Sequence, residues 1–202
     1  MKKTKKFISL FITICLLMTF VPMQMAYADS AFSGGNGTMD DPYLITSAND
    51  FKQLATEVNG GNNYSNTYFK IPETVTETIE LSTADGYVPI GNDKNQFEGT
   101  FDGGNHTINL NLTGERLVGL FGEEGENSNL CNIRTTGSVS MTGYYAGGIV
   151  ANMYGNVVNC HNEASVTGYY HVGGIVGISD NSKYIINCSN SGAIVGNMNV
   201  GG

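Results

Sequence analysis

The sequence lacks tryptophan and is poor in basic residues, with ten lysines and arginines against eighteen aspartates and glutamates. This acidic balance argues against nucleic acid, anionic lipid headgroups and polyanionic glycans as partners, because each of them would meet like charge. Only three histidines are present, and the H-E-x-x-H pattern that binds zinc in metallopeptidases is absent. No metal site is therefore predicted, and no cofactor is expected.

Long hydrophobic runs are also missing, apart from one near the start. Four lysines precede an apolar run over residues 7–21, and the small residues Ala26 and Ala28 flank Tyr27. A basic start, a short apolar run and a small-x-small site together predict a secretory signal peptide over residues 1–28. A retained membrane anchor would need roughly 20 apolar residues. We therefore expect a secreted or cell-surface protein with no membrane insertion after cleavage.

Cysteine is scarce, and only Cys131, Cys160 and Cys188 follow the predicted signal peptide. An odd number of cysteines in an exported chain leaves at least one of them free or paired with another chain. We expect buried, reduced thiols, because parallel in-register side chains suit the torsion of a disulfide poorly.

One helix is predicted, over residues 48–59. Ser47 and Asp50 form a capping-box-like start, apolar residues follow at helical spacing, and Gly60 and Gly61 supply a left-handed stop. The remaining chain holds most of the 27 glycines and consists of short β-branched runs between turn residues. That composition is typical of short strands.

The second half of the sequence repeats itself. The phrases YYAGGIVA and YYHVGGIVG are near copies, and a third copy begins as NVGG at the end. Equivalent residues recur at intervals of 27 and 28: Asn132, Asn159 and Asn187; Ile133, Cys160 and Cys188; Val139, Val166 and Ile194. A period of this length indicates a solenoid.

The repeat has no room for a helix, so the predicted fold is all-β, a right-handed parallel β-helix with one coil per repeat. Side chains of equal parity should then form apolar ladders inside the coils, and the asparagines of opposite parity should form a ladder of hydrogen-bonded amides. The predicted inward set is Val158 and Cys160, with Ile186 and Cys188 on one side and Cys131 and Ile133 on the other.

The glycine phrases VGLFG, GGIVA and GGIVG resemble the GLUG motif, a repeat of exported bacterial proteins that include the non-catalytic part of immunoglobulin A-specific metallopeptidases and many surface proteins. Residues from FSGGNGTMDDPYLITSANDFKQLA to FEGTFDGGNHTINL also resemble the segment that precedes GLUG coils. The resemblance implies an N-terminal cap over residues 29–96 and GLUG-type coils over residues 97–202. Because the third copy stops before its apolar strand, we expect the sequence to be truncated at its C-terminus.

No catalytic constellation is recognised in the sequence. His106, His161 and His171 stand isolated among turn residues, and the adjacent acids Asp40 and Asp41 precede a proline, as turn residues do. Asp102 is likewise explained by a tight turn. The acids Glu123, Glu124 and Glu126 could hold a hard cation such as calcium, but a solvated charged loop is the favoured interpretation.

Paired tyrosines are the most suggestive functional feature. Tyr144 and Tyr145 occupy the same place in one coil as Tyr169 and Tyr170 in the next, directly after Thr-Gly. One ring of each pair should point outward and stack on its equivalent, which would give a surface for sugar rings or an aromatic partner surface. The alternative is that the rings only stabilise the stack.

Two functions remain open at this point. The first is a non-catalytic secreted or cell-surface module, a stalk or an adhesin-like surface that binds a host or cell-surface protein or glycan. The second is the exported N-terminal scaffold of a larger metallopeptidase or glycan-active enzyme whose catalytic part lies beyond residue 202.

Overall fold

The computed structural model of the chain describes residues 32–179 and 183–202. The predicted signal peptide over residues 1–28 lies outside the described residues, so it stays a prediction.

The predicted helix is confirmed as α1, Ala48–Asn59. The Ser47 hydroxyl accepts a hydrogen bond from the Asp50 amide at 3.3 Å, and the Asp50 carboxylate accepts one from the Ser47 amide at 3.0 Å, so the capping box is complete. The apolar face is buried, with Phe51 packed 5.6 Å from the ring of Phe101. The predicted left-handed stop falls at Gly61 (φ 110°), because Gly60 is still right-handed.

Short strands make up most of the remaining described chain. In chain order they are β1 Tyr43–Leu44, β2 Tyr68–Lys70, β3 Ile79–Ser82, β4 Thr100–Asp102, β5 Thr107–Gly114, β6 Phe121–Glu124, β7 Asn129–Cys131, β8 Arg134–Met141, β9 Ala146–Gly147, β10 Val150–Met153, β11 Asn156–Val158, β12 His161–Asn162, β13 Ser165–Thr167, β14 Tyr170–Gly173, β15 Val176–Ser179, β16 Ile185–Ile186, β17 Ser189–Asn190, β18 Ile194–Val195 and β19 Met198–Gly201. A 3₁₀ turn, Thr83–Asp85, follows β3.

The strands stack in parallel into four sheets, which confirms the predicted parallel β-helix. One sheet has the order β1-β2-β4-β7-β11-β16 and passes through six successive coils, and we call it the longest sheet because it runs furthest along the solenoid. A second sheet joins β3, β5, β8, β12, β13, β17 and β18, while β9-β14-β19 and β6-β10-β15 form two three-stranded sheets. One coil comprises β7 to β10, and the next runs from β11 to β15. The longest sheet crosses residue 96, and the predicted division into a cap and coils at that point stays a prediction.

The core changes from aromatic to aliphatic along the solenoid. In the longest sheet Phe69 lies in register with Phe101, Phe101 with Leu130, and Leu130 with Val157. All four are buried. The early rings also pack across the interior, with Phe101 at 5.5 Å from Phe121, so the first coils bury large aromatic areas that the later coils replace with smaller side chains.

The prediction that Val158 faces inward is wrong. Val157 is buried and Val158 is partly exposed, although Val158 does lie in register with Cys131 and Ile186 as predicted. The alternation that places Cys160 inside breaks at Asn159, whose backbone is left-handed (φ 54°). The chain turns a corner there, so residues on its two sides cannot be assigned to one face by parity.

The predicted asparagine ladder is confirmed, and it marks this corner. Asn132, Asn159 and Asn187 all have φ of 53° or 54°. The amide of Asn159 donates to Asn132 at 3.4 Å, and that of Asn187 donates to Asn159 at 3.2 Å. Asp102 continues the ladder by accepting from Asn132 at 2.9 Å, which agrees with the turn role predicted for it. Asparagine suits these positions because its short polar side chain tolerates the left-handed conformation.

A second polar ladder, inside the coil, was not predicted. Asn162 is fully buried, and its side chain accepts from the Thr135 hydroxyl at 2.8 Å and from the Ala164 amide at 3.1 Å. Its amide group donates to the Ala164 carbonyl at 2.8 Å and to Asn190 at 2.7 Å. This satisfied side chain holds the bend between β12 and β13, both of which pair with the continuous strand β8.

Of the three cysteines, only Cys160 has the burial that was predicted for them. Cys160 is buried, Cys131 and Cys188 are partly exposed, and all three are free thiols in the structure. The contact with the Cys188 thiol and burial together raise the pKa of the Cys160 thiol. A raised pKa keeps a thiol protonated and unreactive, and the redox state of the exported protein stays a prediction.

We predict that Asn159→Ala lowers the free energy of unfolding by about 2–4 kcal/mol, because it removes two ladder hydrogen bonds and places alanine in a left-handed conformation. Asn159→Gly should cost less, since glycine adopts this conformation freely. Urea denaturation of both variants measures the difference.

Asn156→Ala is the matched control, because the Asn156 side chain also makes two hydrogen bonds, donating to Asn129 at 3.0 Å and accepting from the Tyr184 amide at 3.3 Å, from an ordinary strand conformation. It should cost about 1–2 kcal/mol. Equal losses for Asn159→Ala and Asn159→Gly would contradict the role of the left-handed corner.

Candidate functional site

The four predicted site tyrosines lie together on the outside of the solenoid, and we call Tyr144, Tyr145, Tyr169 and Tyr170 the tyrosine ledge. The first pair precedes β9, and the second stands at the start of β14. Tyr144 and Tyr169 expose 54% and 46% of their surface. The rings are therefore accessible on a backbone that parallel pairing holds in place.

The ring that stacks on Tyr144 is Tyr170, at 6.0 Å between ring centres and 15° between ring planes. Equivalence by the Thr-Gly pairs would have matched Tyr144 with Tyr169. The second coil has one extra residue, His171, between its tyrosines and its glycines, so Val172 pairs with Ala146 and Tyr170 comes into line with Tyr144. The predicted stacking thus occurs with a shift of one residue.

The other members of the tyrosine ledge support this stack. Tyr169 packs edge-on against Tyr170 at 4.6 Å, and Tyr145 lies 5.2 Å from the ring of His171. His171 was predicted to be an isolated turn residue, which is wrong, because it belongs to β14 and contacts Tyr145. In the next coil Met198 lies in register with Tyr170, so the aromatic column ends there.

A groove of about 470 Å³ lies beside α1. It is lined by Asn59, Val88, Pro89, Gly91, Asn92, Asp93, Lys94, Arg116 and Leu117. The guanidinium of Arg116 forms an ion pair with Asp93 at 2.8 Å, and the Asn92 amide donates to the Asn59 side chain at 3.1 Å. Sequence reasoning missed this groove, since its residues come from three separate stretches of the chain.

The acidic cluster is not the solvated loop that was predicted. Glu123 and Glu124 belong to β6 and are buried, and only Glu126 is exposed. Glu123 accepts hydrogen bonds from Gln96 at 2.7 Å and from Asn152 at 3.1 Å. Within the described residues there is no group of three or more acidic, histidine or cysteine side chains that could hold a metal ion.

Glu124 is buried among donors. Its carboxyl oxygens accept from the amides of Tyr154 at 3.1 Å and Gly155 at 2.9 Å, and from the hydroxyl of Ser128. Burial nevertheless outweighs these hydrogen bonds and raises the pKa of Glu124 from 4.5 to about 8. These hydrogen bonds connect the loop before β11 to β6. They give the buried carboxyl group a structural role that needs no ligand.

His161 was also predicted to be isolated, and it is not. Its Nδ1 lies 2.7 Å from the Ser189 hydroxyl, and its Nε2 lies 3.3 Å from Glu163, which also pairs with Arg134 at 2.8 Å. The residue types match a hydrolase triad, but the two ring nitrogens are used in the reverse order of the serine-protease arrangement. The group lies on the exposed side of β12 and β17, where it links neighbouring coils.

Three other acids were considered for catalysis. Asp40 is exposed at a bend of the chain, and Asp41 and Asp102 have turn roles. Asp41 is exposed, and its backbone carbonyl accepts from the Asn36 amide at 3.0 Å. Asp102 accepts from the Gly104 amide at 2.9 Å and from Asn132 in the corner ladder. The remaining histidine, His106, is partly exposed and donates its backbone amide to Gly103 at 2.9 Å.

Comparisons with known proteins extend over most of the chain. A protein of Evansella cellulosilytica described as "Putative Gly-rich membrane protein" is 32% identical over 165 residues, which are 78% of this chain and 18% of that protein. Halomucin of Haloquadratum walsbyi is 34% identical over 153 residues, 72% of this chain and 2% of that protein. The chain thus spans only a small part of both relatives.

Among solved structures, one described as "a putative immunoglobulin A1 protease from Bacteroides ovatus" matches with a TM-score of 0.55 and 21% identity over 80% of this chain and 60% of that chain. At this identity the match shows the fold alone. No family model matches the chain, so the GLUG interpretation stays a hypothesis. Across residues 32–179 and 183–202, no helix has the length and apolar character needed to cross a membrane.

We predict that Glu124 makes the protein less stable as the pH rises from about 4.5 to about 8. The folded state keeps the proton that the unfolded chain releases near pH 4.5, so this contribution is fully present at lower pH and is lost as the pH rises through the folded pKa. A shift of this size corresponds to roughly 3–5 kcal/mol. Urea denaturation across this pH range gives the profile.

Glu124→Gln mimics the protonated acid and should flatten this part of the profile. The free energy of unfolding of the variant, relative to that of the parent, should therefore increase towards pH 8. Glu126→Gln, a change in the exposed loop, should keep the slope of the parent. Parallel profiles for the parent and Glu124→Gln would show that burial of Glu124 does not set the pH dependence.

Proposed function

We propose that this chain is a non-catalytic β-helical module of a secreted or cell-surface protein and that the tyrosine ledge is its binding surface. The observation that supports this most directly is the offset stack of Tyr144 and Tyr170, which presents exposed aromatic surface on a rigid backbone. Rigid aromatic side chains are favourable binding anchors because little conformational entropy is lost when they are covered. A host or cell-surface protein or a glycan is the proposed partner class.

The relatives support a surface location. One is described as a Gly-rich membrane protein and the other as a halomucin, and both are much longer than this chain. A β-solenoid suits such proteins because each coil needs only its neighbours for stability, so coils can be added to lengthen a stalk. The predicted signal peptide is consistent with the same location.

A second candidate is the scaffold of a larger exported enzyme. The fold match to the Bacteroides ovatus protein, which is described as an immunoglobulin A1 protease, favours it. In that case the present chain would position a catalytic part that lies outside these residues, and the module itself would still act by binding and spacing.

The tyrosine ledge is tested by binding of the full exported chain to immobilised mucin, collagen, fibronectin and neutral polysaccharides. We expect saturable binding to at least one of them, and loss of that binding in Tyr144→Ala/Tyr170→Ala. Tyr184→Ala is the matched control, because Tyr184 is 63% exposed and lies outside the tyrosine ledge. Absence of binding, or equal effects of the two changes, would refute this function.

The absence of catalysis is tested with a casein substrate, aryl glycosides and an aryl acetate. We expect no turnover, since His161 and Ser189 are arranged as a link between coils and Glu123 and Glu124 are buried in hydrogen bonds. Aryl acetate hydrolysis that persists through repurification and disappears in Ser189→Ala would show that the chain is an enzyme.

A further inference from the structure

The tyrosine ledge belongs to a longer column along the solenoid axis. Val118 bridges to Ala146, and the Val118 amide donates to the Tyr145 carbonyl at 2.9 Å. Arg116 and Leu117 therefore stand one coil before Tyr144 and Tyr145. Since both Arg116 and Leu117 line the groove beside α1, the groove lies one coil before the tyrosine ledge, and we call Asp93, Arg116, Tyr144 and Tyr170 together the axial strip.

The aromatic half of the axial strip leaves ring faces open. Squarely superposed rings in contact would have their centres about 3.5–4 Å apart, whereas those of Tyr144 and Tyr170 are 6.0 Å apart with nearly parallel planes. The two rings therefore do not cover each other squarely, and Tyr144 keeps 54% of its surface exposed. Tyr169 holds Tyr170 in place from the side at 4.6 Å.

The groove half of the axial strip presents hydrogen-bonding groups that are already oriented. Arg116 and Asp93 fix each other at 2.8 Å, and both remain about half exposed. The nearby Asn92 side chain accepts from the amides of Lys94 at 3.0 Å and Asn95 at 3.1 Å, which sets its orientation. Carboxylate, guanidinium and amide groups together supply both donors and acceptors.

The charge balance decides which ligand class fits. Beyond residue 28 the chain has 6 basic residues, which is the ten of the sequence less the four lysines of the predicted signal peptide, against 18 acidic ones. A polyanion would therefore be repelled at a distance. Arg116, the basic residue of the axial strip, is already paired with Asp93, so Lys94 is the one other basic residue in the lining of the groove that an anionic group could meet.

We propose that the axial strip binds a neutral glycan that lies along the solenoid axis, an inference that rests on the proposed role of the tyrosine ledge as a binding surface. The C–H faces of sugar rings carry partial positive charge and pack on the negative faces of Tyr144 and Tyr170. Sugar hydroxyls, which both donate and accept, bind Asp93 and Arg116. Two coil steps of about 4.8 Å each separate Arg116 from Tyr170, so a short oligosaccharide covers the strip.

The test is affinity electrophoresis of the full exported chain through gels that contain β-glucan, galactomannan or dextran, with polygalacturonate as the acidic counterpart. We expect at least one neutral polymer, and not polygalacturonate, to retard the chain. Tyr144→Ala/Tyr170→Ala should weaken the retardation by about tenfold or more, as expected for loss of two ring contacts. Arg116→Met removes the guanidinium and keeps an unbranched side chain. It should weaken the retardation about threefold or more.

Tyr184→Ala should leave retardation unchanged, and unchanged melting temperatures of the variants show that the fold is intact.

Retardation by polygalacturonate alone would overturn the proposal. If no neutral polymer acts and an immobilised protein still binds through Tyr144 and Tyr170, the glycan assignment fails while the proposed function stands. If nothing binds through these tyrosines, both fail. If Tyr144→Ala/Tyr170→Ala loses retardation and Arg116→Met keeps it, the claim that the groove takes part in glycan binding fails.

Discussion

In-register parallel stacking of the coils is the constraint on which the rest of this structure depends. Every coil must bring its strands to the same height as those of its neighbour, so any corner that one coil makes is imposed on the next. The left-handed residues Asn132, Asn159 and Asn187 show this directly, since their φ values agree within one degree. Their side chains then lie at the spacing at which amides hydrogen-bond along the stack. The hydrogen bonds thus reinforce a conformation that by itself is unfavourable for most residues.

The same constraint decides which polar groups the interior can contain. Burial of an amide is costly unless its donors and acceptors have partners, and stacking can supply those partners from the coils on either side. Asn162 meets this condition with Thr135 and Asn190. Glu124 meets it only in part, because its partners are donors suited to a carboxylate while its burial disfavours the charge. The solenoid interior therefore accommodates neutral polar ladders more readily than charge.

Sequence periodicity anticipated the fold well because the repeat and the stack are the same physical feature. The helix bounds, the parallel coils and the asparagine ladder all follow from local spacing. The assignment of Val158 to the interior failed, since alternation was extended across a corner that reverses it. The burial of Glu124 and the contact of His161 with Ser189 depend on residues from the next turn or coil, and no local pattern reports them. The candidate site was located from the tyrosine pairs, whereas the groove that adjoins it required the fold.

A difference of one residue between the two tyrosine coils determines the geometry of the tyrosine ledge. Between the tyrosines and the glycine phrase the second coil contains His171 in addition to Val172, and the glycines are held in register with those of the coil before. No residue with a side chain can replace these glycines without a shift of the backbone, because a Cβ at Gly147 or Gly173 would come within about 2 Å of the carbonyl oxygen of Val150 or Val176. The difference in length falls on the tyrosine side, where His171 takes a left-handed conformation, as Leu117 and Asn199 do at the equivalent place in other coils, and Tyr169 packs edge-on against Tyr170. Tight backbone packing at the glycines thus produces an irregular aromatic surface on an otherwise regular solenoid. A change in length at this point therefore alters the aromatic surface while the glycines keep the coils in register.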